Sequence, residues 1–369
     1  MKYTTKNTKT TYKKLDYLSC ASELKWLLSL KSFSSSMEPT GQNPPQGNHT
    51  TLMGFILLGF SDVPDLQGFL FGVFLVIYVI ILMGNSLIII IINVDPSLRN
   101  PMYYFLGNFS SLEICYVSVL VPRMLIDLCT QNRNISFLAC ATQMYFFLVL
   151  GATECFILTV MAYDRYVAIC NPLLYPLIMS HKMCVQLAAG CWVTGVPVHI
   201  GFTYQIFSLP FCGSHRLNHF FCDIPPVLQL ACGNTFMTEM LIYVVAVLVV
   251  TIPFMLILGS YVKIISTILK LPSVTGRAKA FSTCSSHLMV VALFFGSGII
   301  SYLRPKSSHS AQMDKFLSLF YTIVTPLFNP MIYGLRNKDV MVALRKFLLK
   351  RIVLRLWQHN FLKFVSYLS

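Results

Sequence analysis

The chain has 369 residues, of which 55% are hydrophobic and only 11% charged, with a formal net charge of +14. An average soluble domain carries roughly a quarter charged residues, so this balance excludes a water-facing globule and points to a bilayer. The excess of Lys and Arg reads as membrane-surface charge, since nucleic-acid binding would need a basic groove interleaved with stacking aromatics and none is legible.

In chain order, the first feature is a Lys-, Thr- and Ser-rich piece over residues 1–36 whose composition predicts disorder. Asn48, in the tripeptide NHT, is a glycosylation sequon. The sequons at 134–136 and 108–110 are set aside, one lying close to the bilayer and the other inside a span. No signal peptide is legible, because the apolar cluster WLLSL at 26–30 is short, so the first span is expected to serve as the insertion signal.

Seven apolar runs follow, each near the length of about 20 residues that a helix needs to cross hydrocarbon. They cover Gly68–Ile92, Met102–Leu125, Ala139–Ala162, Val185–Phe207, Met240–Leu269, Ser286–Leu303 and Phe316–Tyr333. Backbone amides in lipid must be satisfied within the segment, so the runs predict helices rather than strands. The expected fold is an all-α membrane protein, a seven-transmembrane helix bundle, with residues 1–64 as an extracellular tail, 65–335 as the bundle and 336–369 as a cytoplasmic tail. Orientation follows from Lys and Arg near the span ends, which concentrate after the first, third, fifth and seventh runs. The amino terminus is therefore expected outside and the carboxy terminus inside.

Ionisable residues within spans cost about 2.5–3.5 kcal/mol each on insertion scales and are candidate functional sites. Glu113 in the second run and Glu154 in the third are two such residues. At 100° per residue, Phe147, Leu148, Gly151, Glu154, Leu158 and Arg165 share one stripe of the third helix. Its mouth carries adjacent opposite charges, Asp164 and Arg165, in MAYDRYVAIC. Prolines at 122, 197, 253, 326 and 330 each remove a helical hydrogen bond and permit a kink. In NPMIY, Asn329, Pro330 and Tyr333 make a polar hinge.

Four cysteines fall on the oxidising side: Cys140 at the start of the third span, and Cys212, Cys222 and Cys232 after the fourth. Spacing leaves all three pairings open. The same loop holds HFFCD, in which His219 and Cys222 are the residue types of a copper or zinc site, but a cysteine committed to a bridge has no thiolate to offer. His219 is thus expected to be an ordinary loop residue, and no metal is expected.

MAYDRYVAIC, together with GN at 84–85, LRNPMYYFL at 98–106, KAFSTCSSHL at 279–288, SYL at 301–303 and NPMIYGLRN at 329–337, resembles the vertebrate odorant receptors of the rhodopsin-like G-protein-coupled receptor class, over about residues 52–350. The resemblance implies a receptor at the plasma membrane that binds a small, mainly hydrophobic, neutral odorant and activates the stimulatory olfactory G protein, raising cyclic AMP. It implies that Arg165 is a latch with Asp164 as its local partner, joined in the switch by Tyr166, Tyr261, Asn329, Pro330 and Tyr333. It implies a sodium pocket at Glu113 and Glu154, and bridges Cys140–Cys222 and Cys212–Cys232. The ligand positions it carries over are Phe147, Leu148, Gly151, Ala152, Val245, Ala246, Val249, Ile299, Tyr302 and Thr322, with Tyr302 and Thr322 as the hydrogen-bonding groups. The sequence departs from the family at Arg99-Asn100, where a His usually precedes the proline, at Phe295, where a Tyr is frequent, and at Glu113, where many members have Asp. MEPTGQNPPQGNHT from Met37 reads like a complete family tail, so the upstream piece is expected to reflect an alternative start, and the basic, aromatic stretch after Lys350 is expected either to lie on the inner leaflet or to be a divergent extension. The rival class is a channel or transporter, which would show repeated halves or a polar file. Chemosensing outside the olfactory epithelium is the other alternative. No nucleophile and base pair is legible, so an enzyme is not expected.

Overall fold

The computed structural model describes residues 54–60, 64–130, 133–212, 215–270, 272–302, 311–335, 337–347 and 349, without the side chains of Pro64, Lys279, Thr283, Ser301, Tyr302, Ala311 and Leu335. Asn48, the piece before Met37 and the stretch after Lys350 lie outside the described residues.

Among the described residues seven long helices run in order: α1 Gln67–Val94, α2 Pro101–Cys129, α3 Phe137–Cys170, α4 His181–Phe207, α5 Phe236–Leu269, α6 Val274–Tyr302 and α7 Ala311–Leu335. Six of them, all but α2, are long and apolar enough to cross a membrane by length and composition. Side-chain distribution is inverted relative to a water-soluble helical protein. Met83 on α1, Tyr243 and Leu256 on α5 and Phe316 on α7 are exposed, while Asn85, Glu113, Glu154, Thr322 and Asn329 are buried. Such a surface is stable only where the solvent is itself apolar.

Several helices outrun their apolar cores. The run expected to begin at Ser286 belongs to α6, which starts at Val274, and the run expected from Phe316 belongs to α7, which starts at Ala311. Hydropathy detects only the part of a helix that suits hydrocarbon, while backbone hydrogen bonding continues through polar residues beyond it. Between α1 and α2, Asp95 caps a 3-10 turn, Pro96–Leu98, accepting from the Ser97 amide (2.9 Å) and hydroxyl (2.7 Å). These bonds hold the Asp95 carboxyl below its usual range. Asn100, one of the departures from the family, caps α2 by accepting from the Tyr103 amide at 3.2 Å, with Pro101 in the first helical position.

The chain divides into two compact units. The first comprises the chain up to Val76, Ser118–Phe146 and Thr203–Thr235. Its centre is a three-stranded sheet in the order β2-β1-β3, with β1 Gly54–Leu57, β2 Asn134–Ser136 and β3 Arg216–Leu217. The end of the expected tail is thus a central strand, antiparallel to β2 and parallel to β3. Alternation explains its choice of face: Phe55 and Leu57 are buried, and Ile56 between them is exposed. Phe55 meets Phe211 edge-on at 5.5 Å and stacks on Phe137 at 5.9 Å, and Phe137 meets Phe207 at 5.0 Å. Burying each such ring contributes about 1.5–3 kcal/mol.

The second unit comprises Ile77–Val117, Phe147–Phe202 and the chain from Phe236. Its helices approach closely where small residues allow it. A Cβ at Gly84 would come within 3.1 Å of the Pro330 ring, and one at Gly195 within 3.5 Å of the Ala152 methyl and the Val149 carbonyl. Trp192 Nε1 donates to Asn108 Oδ1 at 3.3 Å, fixing α4 on α2. A further helix over 338–347 is capped by Asn337, whose Oδ1 accepts from the Asp339 amide at 3.1 Å. Tyr103 at the start of α2 donates to that Asn337 Oδ1 (3.2 Å) and to Asp339 Oδ2 (3.0 Å).

Two helices carry a π-helical turn, Val247–Thr251 in α5 and Phe320–Val324 in α7. Each closes an i to i+5 bond, from the Ile252 amide to the Val247 carbonyl and from the Thr325 amide to the Phe320 carbonyl. The sequence supplies the cause. Pro253 and Pro326 follow directly, and each lacks the amide that would bond the carbonyl four residues earlier, at Val249 and Thr322.

Candidate functional site

The second unit gathers Glu113, Glu154, Asn329, Arg165, Tyr261 and Tyr333 into two polar clusters. In the first, the Asn329 amide donates to Glu113 Oε1, joining α7 to α2. Glu113 and Glu154 lie within hydrogen-bonding reach of each other, joining α2 to α3. Glu113 Oε2, Glu154 Oε1, Asn329 Oδ1 and Ser110 Oγ are all buried and have no hydrogen-bond partner among the described residues. These four unpartnered oxygens, two of them from carboxyl groups, are of the type that a hard monovalent cation prefers, and the two carboxyls could also share a proton. Ser110 escaped the sequence reading; its only signal is its place one turn before Glu113 on the same helix face.

The second cluster surrounds Arg165. Its charge acts on Tyr261, Cys284, His287 and Tyr333, drawn from α5, α6 and α7. One guanidinium nitrogen, Nη2, is buried without a partner, and so is the Tyr333 hydroxyl. Tyr261 and His287 share a 2.8 Å hydrogen bond between the phenol oxygen and Nδ1, their rings stacked 5.7 Å apart. Asp164 lies within electrostatic reach of Arg165 and has a second partner. Its Oδ1 accepts from the Tyr175 hydroxyl at 2.8 Å, on the one-turn helix Tyr175–Ile178. Burial first, and then the neighbouring carboxylate, raise the Tyr175 phenol above its ordinary range. Tyr166 stacks on the exposed Tyr163 at 6.4 Å. Pro330 packs against Gly84.

The expected ligand positions are less uniform. Phe147 is buried, its ring 5.8 Å from Tyr116 and 6.2 Å from Tyr321. A Cβ at Gly151 would meet no heavy atom within 4 Å, so open space borders α3 there. Leu148, Val245 and Val249 are half-buried, Ala152 is buried, and Ala246 and Ile299 are exposed. Thr322 is fully buried and its hydroxyl is turned onto its own helix, donating to the Ser318 carbonyl at 2.7 Å. The Tyr302 side chain lies outside the described residues. Phe295, where a Tyr is frequent, is buried with its ring 5.0 Å from Phe254, so an apolar contact occupies that position.

In the first unit both disulfides form as the resemblance implied: Cys140–Cys222 and Cys212–Cys232, with Cα atoms 5.5 and 5.8 Å apart. Gln143, unnoticed in the sequence, rivets the first of them. Its Oε1 accepts from the Cys222 amide at 3.0 Å and its Nε2 donates to the Val119 carbonyl at 3.3 Å. His219 is buried against the Phe220 and Phe221 rings, each 4.7 Å away, and among the described residues no group of three His, Cys, Asp or Glu could hold a metal.

Comparison with known proteins follows the same lines. A family model described as olfactory receptor matches residues 74–351. Olfactory receptor 10AG1 of Homo sapiens is 63% identical over 298 residues, covering 81% of this chain and 99% of that protein. Olfactory receptor 10C1 of Homo sapiens is 52% identical over 305 residues, covering 83% of this chain and 98% of that protein. Olfactory receptor 10A5 of Homo sapiens is 53% identical over 310 residues, covering 84% and 98%.

Proposed function

The chain belongs to the olfactory receptor family, and from that premise we propose that a small, mainly hydrophobic odorant binds among α3, α5, α6 and α7 and thereby releases the cluster around Arg165 for a stimulatory olfactory G protein. It is an odorant receptor and a multi-pass membrane protein, and its family is one of signalling receptors rather than enzymes. The amino terminus faces outward, the carboxy terminus faces the cytoplasm, and the site of action is the plasma membrane.

The observation that carries the mechanism is the unpartnered Arg165 guanidinium nitrogen, held within electrostatic reach of Tyr261, His287 and Tyr333. A buried donor left unsatisfied costs roughly 1–3 kcal/mol, so the described arrangement is poised to yield to one that gives Arg165 a partner. Odorant need only bind that second arrangement better for the population to shift. Arg165→Ala should therefore abolish odorant-evoked cyclic AMP while surface expression persists. Undiminished cyclic AMP from that variant would overturn the role of Arg165.

Ser110, Glu113, Glu154 and Asn329 would hold a sodium ion, which would supply the positive charge that two buried carboxylates require. Replacing sodium by choline in the medium, with odorant response as readout, should then shift the half-maximal odorant concentration of the wild type and leave a Glu154→Gln variant unmoved. Equal shifts in both would remove the ion from the mechanism.

A further inference from the structure

A buried phenol joins the start of α2 to the helix over 338–347. Asn100 caps α2 by accepting from the Tyr103 amide at 3.2 Å, which fixes the Tyr103 backbone in the first turn. The Tyr103 side chain is only 3% exposed, and its hydroxyl lies 3.2 Å from Asn337 Oδ1 and 3.0 Å from Asp339 Oδ2. Asn337 Oδ1 is itself the cap of the second helix, accepting from the Asp339 and Val340 amides at 3.1 and 3.4 Å. One phenol therefore reaches both the cap of that helix and a side chain of its first turn. A hydroxyl has a single proton, so it serves one of the two oxygens at a time, and the carboxylate makes the stronger acceptor.

The helix so held has two unlike faces. Val340 and Ala343 are buried, while Lys338, Arg345 and Lys346 are exposed. Apolar contact is non-directional and lets a helix slide or tilt; the Tyr103 bonds are directional and decide where it sits. Toward its other end Lys346 is within electrostatic reach of Asp95, an attraction between solvent-facing groups that salt screens. Tyr103 also lies within electrostatic reach of Arg165. The group that orients the helix thus borders the switch cluster, and Lys338 and Arg345, seven residues apart and so on one helix face, add positive charge at the same end of the bundle.

We propose that Tyr103 is a positioning residue for G-protein activation, holding the helix over 338–347 at the angle from which Lys338 and Arg345 meet the G protein together with the Arg165 cluster. This rests on the reading of Arg165 as the G-protein switch, and it adds the residue that orients a second element toward the same partner.

The test uses the full chain, purified in detergent, and the nucleotide-free stimulatory olfactory G-protein heterotrimer. Amide hydrogen exchange reports on the helix, and the dissociation constant of the complex reports on engagement. Tyr103→Phe removes only the hydroxyl. Exchange over 338–347 should rise roughly tenfold while exchange over 104–116 stays at the wild-type rate, and the dissociation constant should also rise roughly tenfold, as loss of one hydrogen bond to a charged group implies. Asp339→Asn keeps an oxygen acceptor without the charge; it should raise both readings severalfold in the wild type and leave them unmoved in the Tyr103→Phe background. Asp339 is exposed, so this variant decides by the same two readings if Tyr103→Phe does not fold.

Unchanged exchange over 338–347 overturns the proposal. So does raised exchange with G-protein binding at wild-type strength, the result expected of a merely structural bond. Arg165→Ala, measured in parallel, separates the two readings. Binding lost in Arg165→Ala and intact in Tyr103→Phe sinks the role of Tyr103 alone; the opposite pattern sinks the role of Arg165 alone; a wild type that does not bind the heterotrimer overturns both.

Discussion

At the scale of single residues, function rests on polar groups held in apolar surroundings, and sequence reveals these unevenly. Glu113 and Glu154 were legible because a carboxyl in an apolar run is conspicuous. His287, Ser110 and Gln143 were not, since neutral polar residues in a span carry no comparable signal until a partner is seen. The Tyr261–His287 bond joins α5 to α6 and is open to a direct test. Tyr261→Phe and His287→Phe should change basal cyclic AMP by similar amounts, and the double variant should match either single one. The coupling expected for one neutral hydrogen bond is about 1 kcal/mol. Additive effects in the double variant would mean that each side chain acts separately.

At the scale of elements, hydropathy located all seven helices and misjudged their ends, because it measures compatibility with lipid rather than backbone continuity. The π turns in α5 and α7 lay beyond it altogether. Their prolines were visible, but a proline can be accommodated by a kink, a bend or an extra residue in the turn, and the choice is made by packing. These turns sit at Val249 and Thr322, two of the expected ligand positions, so the ligand-facing register of both helices depends on them. Pro253→Ala restores an amide that can bond the Val249 carbonyl and should tighten the turn, rotating Val245 and Ala246 relative to Ile257. We expect a severalfold change in odorant potency with little change in surface expression, read from concentration–response curves. An unchanged potency would show that the turn does not set the ligand-facing register.

At the scale of the whole molecule, the sequence announced a membrane protein by its composition and a receptor by its motifs, yet it gave no sign that part of the tail is a structural strand. Gly54–Leu57 is short, and period-two alternation over four residues is too brief to stand out. The consequence is measurable. Gly54 has φ +156° and a Cβ there would collide with the Ile135 carbonyl, so Gly54→Ala should unpair β1 from β2 and cost about 1–3 kcal/mol. The readout is surface expression, which should fall for this variant and remain unaffected when the chain starts at Met37. Expression of Gly54→Ala equal to wild type would make the strand dispensable.

That same strand sets an order on biogenesis. β1 precedes α1–α7, whereas its parallel neighbour β3 follows α4. At about 5–20 residues per second, the ribosome releases β3 roughly ten to thirty seconds after β1. During that interval the β1 edge that will pair with β3 has no native partner, so the nascent receptor must shelter it until four helices have been threaded. Chaperone demand during synthesis is then a second step, beside stability once folded, at which variants in this strand would be lost.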